Sequence, residues 1–71
     1  MTAQEFEKAK EPAAVESLLT AVEPRLADDS HNTAYNFLID YLENPEWFVS
    51  HEGGRLLLLS IEVLSDLRRK P

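Results

Sequence analysis

The chain contains no cysteine, and this absence excludes two devices that stabilise many small proteins. Disulfide bonds cannot form, and the thiolate ligands of structural zinc sites are missing. A chain of 71 residues makes one domain at most, and a core of that size supplies only about 3–5 kcal/mol of stability. We therefore expect close helix packing, association between chains, or both, and we expect no cofactor.

Long hydrophobic runs are absent as well. No stretch approaches the roughly 20 apolar residues that span a bilayer, and residues 1–8 lack the basic and apolar regions of a secretory signal. The chain also has no Asn-x-Ser/Thr glycosylation site. Together with the lack of cysteine, these absences predict a cytoplasmic protein that has no membrane partner.

Basic residues are missing from the middle of the chain. No Lys or Arg lies between Leu26 and Gly54, and the formal net charge is −6. The acids of this acidic middle are Asp28, Asp29, Asp40, Glu43, Glu46 and Glu52. Such a surface repels nucleic acid and favours a partner protein with a basic surface, so we expect no direct nucleic-acid binding. The simpler alternative is that the charge serves solubility.

Helical periodicity is what the chain has instead. The hydrophobic fraction of 44% and the charged fraction of 28% are ordinary for a folded domain. Apolar residues recur with the period of a helix in three segments, which Pro and Gly residues separate. We therefore predict an all-α fold: a compact bundle of three main helices plus a short helical turn, forming a single helical domain over residues 11–71.

Residues 1–10 are polar apart from one aromatic side chain, Phe6. Thr2 and Glu5 have the spacing of a capping box, in which each residue satisfies a free donor at the start of a helix. This segment is predicted to be either a polar N-terminal tail or a short helix.

The first main helix is predicted to begin at Pro12, because proline suits the first turn of a helix. Its apolar stripe is Val15, Leu18, Leu19 and Val22. Pro24 should end or kink the helix, since it removes a hydrogen bond and clashes with the preceding turn. A loop over residues 27–32 should follow, with Asp29 and Ser30 among the candidate N-caps of the second helix.

The second main helix is predicted to run to about Glu43. Its apolar residues cover an arc of about 200°, so we expect it to be mostly covered and central. These residues are Ala34, Tyr35, Phe37, Leu38, Ile39, Tyr41 and Leu42. Asn44 and Pro45 should then start a short helical turn, which Gly53 and Gly54 should stop because glycine accepts the left-handed conformation at helix ends.

The last helix, predicted over residues 55–69, has an equally wide apolar arc of about 200°, and only Leu58 among its leucines lies outside it. The residues of the arc are Leu56, Leu57, Leu59, Ile61, Val63, Leu64 and Leu67. So short a chain rarely covers two such arcs by itself. We therefore predict a homodimer whose core is shared between subunits, with Leu38 and Leu64 in the core.

No motif predicts catalysis or metal binding. His31 lies beside Asp28 and Asp29, but capping and turn formation explain that cluster. His51 and Glu52 resemble the start of a zinc-protease helix, yet no second histidine follows at the required spacing. We therefore expect neither an enzyme nor a metal site.

The function predicted from size, charge and the lack of a catalytic site is that of a small acidic interaction module. It would act as a regulator, inhibitor or adaptor by occupying a surface on another protein. The predicted partner-binding residues combine acids at the rim with apolar anchors: Asp40, Glu43, Glu46, Trp47, Phe48 and Leu58. Two alternatives remain: a nucleic-acid mimic that blocks a DNA- or RNA-binding protein, and a structural subunit of a larger complex.

Overall fold

A computed structural model describes residues 2–48 and 51–71, apart from the side chains of Trp47 and His51. The α-helices are α1 (Ala3–Ala9), α2 (Pro12–Val22), α3 (Asp29–Glu43) and α4 (His51–Arg69). Two short 3₁₀ turns, Glu23–Arg25 and Pro45–Phe48, connect α2 to α3 and α3 to α4. No described residue lies in a strand, so the all-α prediction is confirmed.

The N-terminal segment forms the short helix α1, and its start shows why. The Thr2 hydroxyl oxygen accepts a hydrogen bond from the Glu5 backbone N–H at 3.1 Å, and the hydroxyl donates to the Glu5 carboxylate at 3.1 Å. Phe6 packs against the core as a partly buried side chain. This local cap and one aromatic contact place α1 against the remaining helices.

Helix α2 begins at Pro12 and ends two residues before Pro24, as predicted. Pro12 occupies the first turn, and Pro24 lies in the 3₁₀ turn that follows Val22. The entire predicted stripe is buried: Val15, Leu18, Leu19 and Val22. Both outcomes follow from local chemistry, since proline tolerates the first turn of a helix and breaks its interior.

The start of α3 differs from the prediction. The helix begins at Asp29 rather than after a loop over residues 27–32, and Asp28 is the N-cap. The Asp28 carboxylate accepts a hydrogen bond from the His31 backbone N–H at 3.0 Å, and Asp28 itself is extended, with φ −138° and ψ 175°. Several residues of this polar cluster are good N-caps. The N-cap in the structure, Asp28, lies one residue before the two candidates named from the sequence, Asp29 and Ser30.

The predicted stop at Gly53 and Gly54 is wrong, because α4 begins at His51 and runs through both glycines. No described glycine has a positive φ, so the special conformational freedom of glycine is not used here. Glycine costs about 1 kcal/mol relative to alanine inside a helix. Packing of α4 against α3 and the turn Pro45–Phe48 offsets that cost.

The core forms where α2, α3 and α4 meet. Helices α3 and α4 run in opposite directions. Ser30, near the start of α3, lines one groove with Val63 of the second half of α4, and Tyr41, near the end of α3, lines another groove with Leu57 of the first half of α4. The buried apolar residues are Val15, Leu18, Leu19, Val22, Ala34, Leu38, Leu57, Ile61, Leu64 and Leu67. Leu38 and Leu64 are both 0% exposed, so the prediction that they belong to the core is confirmed.

Coverage of the wide apolar arcs is only partial within this chain. On α3, Ala34 and Leu38 are buried, whereas the aromatic and aliphatic residues on either side of them are only partly buried. On α4, Leu56 is 47% exposed and Leu59 is 52% exposed. The buried stripe of each helix is therefore narrower than the predicted arc, and part of each arc faces outward.

Arg25 stabilises the end of α4, which the sequence did not predict. Its guanidinium donates hydrogen bonds to the backbone carbonyl oxygens of Arg68 at 2.9 Å, of Pro71 at 3.1 Å and of Lys70. The last carbonyl groups of a helix have no partner within the helix, so a forked donor from elsewhere in the chain satisfies them.

We expect Arg25→Ala to lower the free energy of unfolding by about 1–2 kcal/mol, because carbonyl groups at the end of α4 lose a charged donor. Urea denaturation followed by circular dichroism measures the change. Arg25→Lys should recover only part of it, since an ammonium keeps the charge but not the planar fork. Lys8→Ala is the control. The Lys8 side chain is exposed, and it makes no hydrogen bond among the described residues. Equal denaturation midpoints for Arg25→Ala and wild type would contradict the capping role.

Candidate interaction site

A groove with aromatic walls lies where the end of α1, the end of α3, the turn Pro45–Phe48 and the start of α4 meet. Its volume is about 520 Å³, within the range of sites that hold a small ligand or a large side chain. We call it the aromatic groove, and its lining residues are Phe6, Lys10, Tyr41, Pro45, Glu46, Phe48, Gly54 and Leu57. The start of α4 contributes Gly54, where a Cβ atom would meet no neighbouring group within 4 Å, so the groove is open at this point.

Contacts among the aromatic side chains hold the walls in place. The Phe48 ring meets Phe37 edge to face at a centroid distance of 4.9 Å and Tyr41 at 5.6 Å. The Tyr41 hydroxyl donates a hydrogen bond to the Lys10 carbonyl oxygen at 2.7 Å, which ties α3 to the end of α1. Edge-to-face pairs of this kind stabilise beyond simple burial, so the groove is largely preformed.

The charge of the groove comes from Glu46. The other charged residue in the lining, Lys10, is engaged: its ammonium lies 3.1 Å from the Glu7 carboxylate and 5.3 Å from the centroid of the Phe6 ring. Glu46 is exposed, and no ion pair in the described part of the chain includes it. The aromatic groove therefore presents a carboxylate that pairs with no cation among the described residues.

The structure separates the predicted partner-binding residues. Glu46 and Phe48 lie together in the aromatic groove. Asp40 and Glu43 are exposed one turn apart on α3 and do not line it. The Trp47 side chain lies outside the described residues. Sequence reasoning missed Phe6 and Tyr41 as groove residues, because only the fold brings α1 against the end of α3.

The role of Leu58 in partner binding stays a prediction, but the leucines that α4 exposes are others. This side chain, predicted to be the leucine left outside the covered arc, is half-buried, whereas Leu56 and Leu59 are exposed. Leu58 lies on the same side of α4 as Glu62 and Ser65, which line a cavity together with residues of α1. The exposed apolar residues Leu56 and Leu59 lie on the other flank of α4.

That flank carries a second candidate surface, the leucine strip, formed by Leu56, Leu59 and Val63. Their spacing places the three side chains in one row on α4. Beside the row lies a shallow groove of about 360 Å³, whose walls include Leu59 and Val63 of α4 and Asp29 and Thr33 of α3. Large contiguous apolar patches on a protein surface are candidates for interaction sites.

The polar cluster at the start of α3 is used for capping. The Asp28 carboxylate accepts the His31 backbone N–H, and the His31 Nδ1 atom lies 3.6 Å from the same carboxylate without a hydrogen bond. Within residues 2–48 and 51–71, no group of three or more His, Cys, Asp or Glu side chains is arranged to hold a metal ion. None of the helices described there is long and apolar enough to cross a membrane.

The chain matches no protein-family model, and neither a curated protein nor a solved structure is significantly similar to it. Any function must therefore be argued from the surfaces themselves. The two surfaces that combine apolar contact area with defined geometry are the aromatic groove and the leucine strip.

Proposed function

We propose that this chain is a non-enzymatic protein-interaction module that regulates, inhibits or adapts another protein by occupying a surface on it. The observation that carries the proposal is the aromatic groove, where the Phe48 ring and the carboxylate of Glu46 lie together. Aromatic side chains in pockets supply much of the binding energy at protein interfaces, and neighbouring charges select the partner.

The chemistry of the groove describes the partner. An apolar side chain of the partner fits among Phe6, Tyr41 and Phe48, and a Lys or Arg beside it pairs with Glu46. All six acids of the acidic middle are exposed, so they attract a basic segment from a distance and accelerate its association. The proposed partner is therefore a protein with a basic segment that carries a large apolar side chain.

We further propose that the functional unit is a homodimer. Two large leucines on one helix are about half exposed in a chain of only 71 residues. Covering them with a second chain removes apolar area from water, and this area contributes about 25 cal/mol per Å² buried. A small domain without disulfides gains stability by this route.

One observation favours the alternative of a nucleic-acid mimic. Asp40 and Glu43 point outward one turn apart on α3, away from the lining of the aromatic groove. Exposed carboxylates on a regular helix can take the place of phosphate groups in the basic site of a nucleic-acid-binding protein. This alternative assigns the binding energy to the acids and none to the groove.

The proposal is tested by affinity capture from the native lysate, followed by binding kinetics with the purified captured protein. We expect Phe48→Ala to accelerate dissociation at least about tenfold, because the anchor of the groove is lost. Glu46→Lys should slow association and weaken its dependence on salt. Glu16→Lys, the same charge reversal at an exposed position of α2, is the control and should change neither rate.

Two outcomes would contradict the groove as the binding site. Normal kinetics for both Glu46→Lys and a folded Phe48→Ala variant would exclude it. Loss of binding on reversal of Asp40 and Glu43, with the groove variants unaffected, would instead support the nucleic-acid mimic. Because Glu46 is exposed, its variant remains informative even if Phe48→Ala fails to fold.

A further inference from the structure

We propose that a second copy of this chain covers the leucine strip, with the two α4 helices packed in opposite directions about a two-fold axis near residue 58. This inference rests on the proposed homodimer and adds the surface, the direction and the register of association. It leaves the aromatic groove free, because Gly54 and Leu57 line the groove on another side of α4.

The residues along this flank of α4 have the spacing of a helix–helix seam. Alternating steps of four and three residues connect the row Glu52, Leu56, Leu59, Val63, Asp66 and Lys70. Two helices that pack along their length place such rows against each other. In this chain the apolar residues occupy the centre of the row, and charged residues occupy both ends. The row therefore resembles a short helix–helix interface whose two ends are charged.

The direction follows from the charges at the ends of α4. Arg68, Arg69 and Lys70 lie together at the end of the helix. Parallel packing would bring these basic ends of two copies side by side, and it would align the two helix dipoles. Antiparallel packing separates the basic ends and opposes the dipoles, which is the favourable arrangement.

Two antiparallel registers bring apolar residues of the strip together. With the axis near residue 58, Leu56 faces Leu59 of the second copy on both sides of the axis. With the axis near residue 61, Leu59 faces Val63 of the second copy. The two registers differ by about 5 Å of sliding along each helix, and the residues beside the strip decide between them.

Arg55 and Glu62 select the first register. Each precedes a residue of the strip by one position, Arg55 before Leu56 and Glu62 before Val63, so both lie at the border between the strip and the side of α4 that shares a cavity with α1. Neither takes part in an ion pair within the described residues. An axis near residue 58 places Arg55 close to Glu62 of the second copy, and the symmetry makes this pair twice. An axis near residue 61 would instead place Glu62 near Glu62 and Arg55 near Arg69, which are like-charge contacts.

The same register makes one unfavourable contact, which supplies a test with a definite sign. Glu52 faces Val63 of the second copy, and Val63 shares a groove with Asp29. Two carboxylates therefore approach each other at each end of the seam. Replacing Glu52 by lysine should convert this repulsion into attraction. In the alternative register Glu52 faces Lys70, and the same replacement should weaken the dimer.

The seam is small. Helix α4 has 19 residues, so the seam is about 28 Å long and about one helix diameter wide. Such an area lies below the range of stable specific interfaces, so the association should be weak and reversible. The chain should therefore be a monomer when dilute and a dimer when concentrated.

The test is analytical ultracentrifugation of the full chain over a wide range of micromolar concentrations. We expect reversible dimerisation of wild type. Leu59→Asp should abolish dimerisation. Ala13→Asp introduces the same charge at an exposed position of α2, so it is the control and should leave dimerisation unchanged. Glu52→Lys should tighten the dimer about tenfold. Arg55→Glu should weaken it about tenfold, and Arg55→Glu combined with Glu62→Arg should restore it.

Each contrary result overturns a stated part of the inference. A wild type that stays monomeric at all concentrations overturns the dimer, and the aromatic groove is then tested separately by the Phe48 and Glu46 variants. A dimer unaffected by Leu59→Asp lies on another surface. A dimer weakened by Glu52→Lys has the axis near residue 61. If Leu59→Asp prevents capture of another protein while wild type is monomeric, the strip belongs to that protein.

Discussion

Replacing Leu64 by alanine should lower the free energy of unfolding by about 2–5 kcal/mol. Leu64 is 0% exposed on α4 and lies in the core that α4 forms with α2 and α3. Removing most of its side chain leaves a cavity that the surrounding helices fill only in part. Since a domain of this size has only about 3–5 kcal/mol of stability, a large fraction of the variant should be unfolded at room temperature, as circular dichroism in increasing urea will show.

Leu59→Ala is the matched control for this prediction. It makes the same chemical change on the same helix, but Leu59 is 52% exposed. At a concentration low enough to keep the chain monomeric, its effect should be well below 1 kcal/mol. If Leu64→Ala has the same denaturation midpoint as wild type, or if Leu59→Ala is the more damaging of the two, the assigned orientation of α4 is wrong.

Enlarging Ala34 to leucine should destabilise the fold by about 1–3 kcal/mol. Ala34 is 5% exposed and Ser60 is 9% exposed, and both line the shallow groove between α3 and α4. Because Ala34 is almost fully buried, most of the added side-chain volume has to be accommodated between the two helices. A leucine there must push α4 away from α3 or adopt a strained rotamer, and thermal unfolding should occur at a lower temperature.

Ala13→Leu provides the comparison for the enlarged side chain. Ala13 is exposed in α2, and alanine and leucine are both good helix formers, so the stability should change by no more than about 0.5 kcal/mol. An Ala34→Leu variant as stable as wild type would show that α3 and α4 have room between them.

The two proposed surfaces are compatible with each other. The aromatic groove lies at the junction of α1 and the start of α4, and the leucine strip lies on the opposite flank of α4 from α1. In the proposed dimer both grooves therefore stay open. A partner with two basic segments could occupy both grooves at once, and linkage of that kind raises the apparent affinity without any new contact.

The sequence by itself determined the helical class of the fold, the limits of α2 and most of the core. Pro12 and Pro24 delimit α2 because proline acts on the residues next to it. The buried positions of Leu38 and Leu64 follow from the period of an α-helix, which a wheel reveals without knowledge of the fold. These features depend on a few neighbouring residues, so they can be deduced from local patterns.

Only the tertiary structure decided which apolar residues face outward and how the candidate site is assembled. The wheel placed Leu59 inside the covered arc and Leu58 outside it, whereas Leu59 is 52% exposed and Leu58 is half-buried in the folded chain. The end of α4 is satisfied by Arg25, and the aromatic groove needs Phe6 beside Phe48. Such contacts join distant segments, and they are set by how the helices rotate and pack against one another, which no local pattern records.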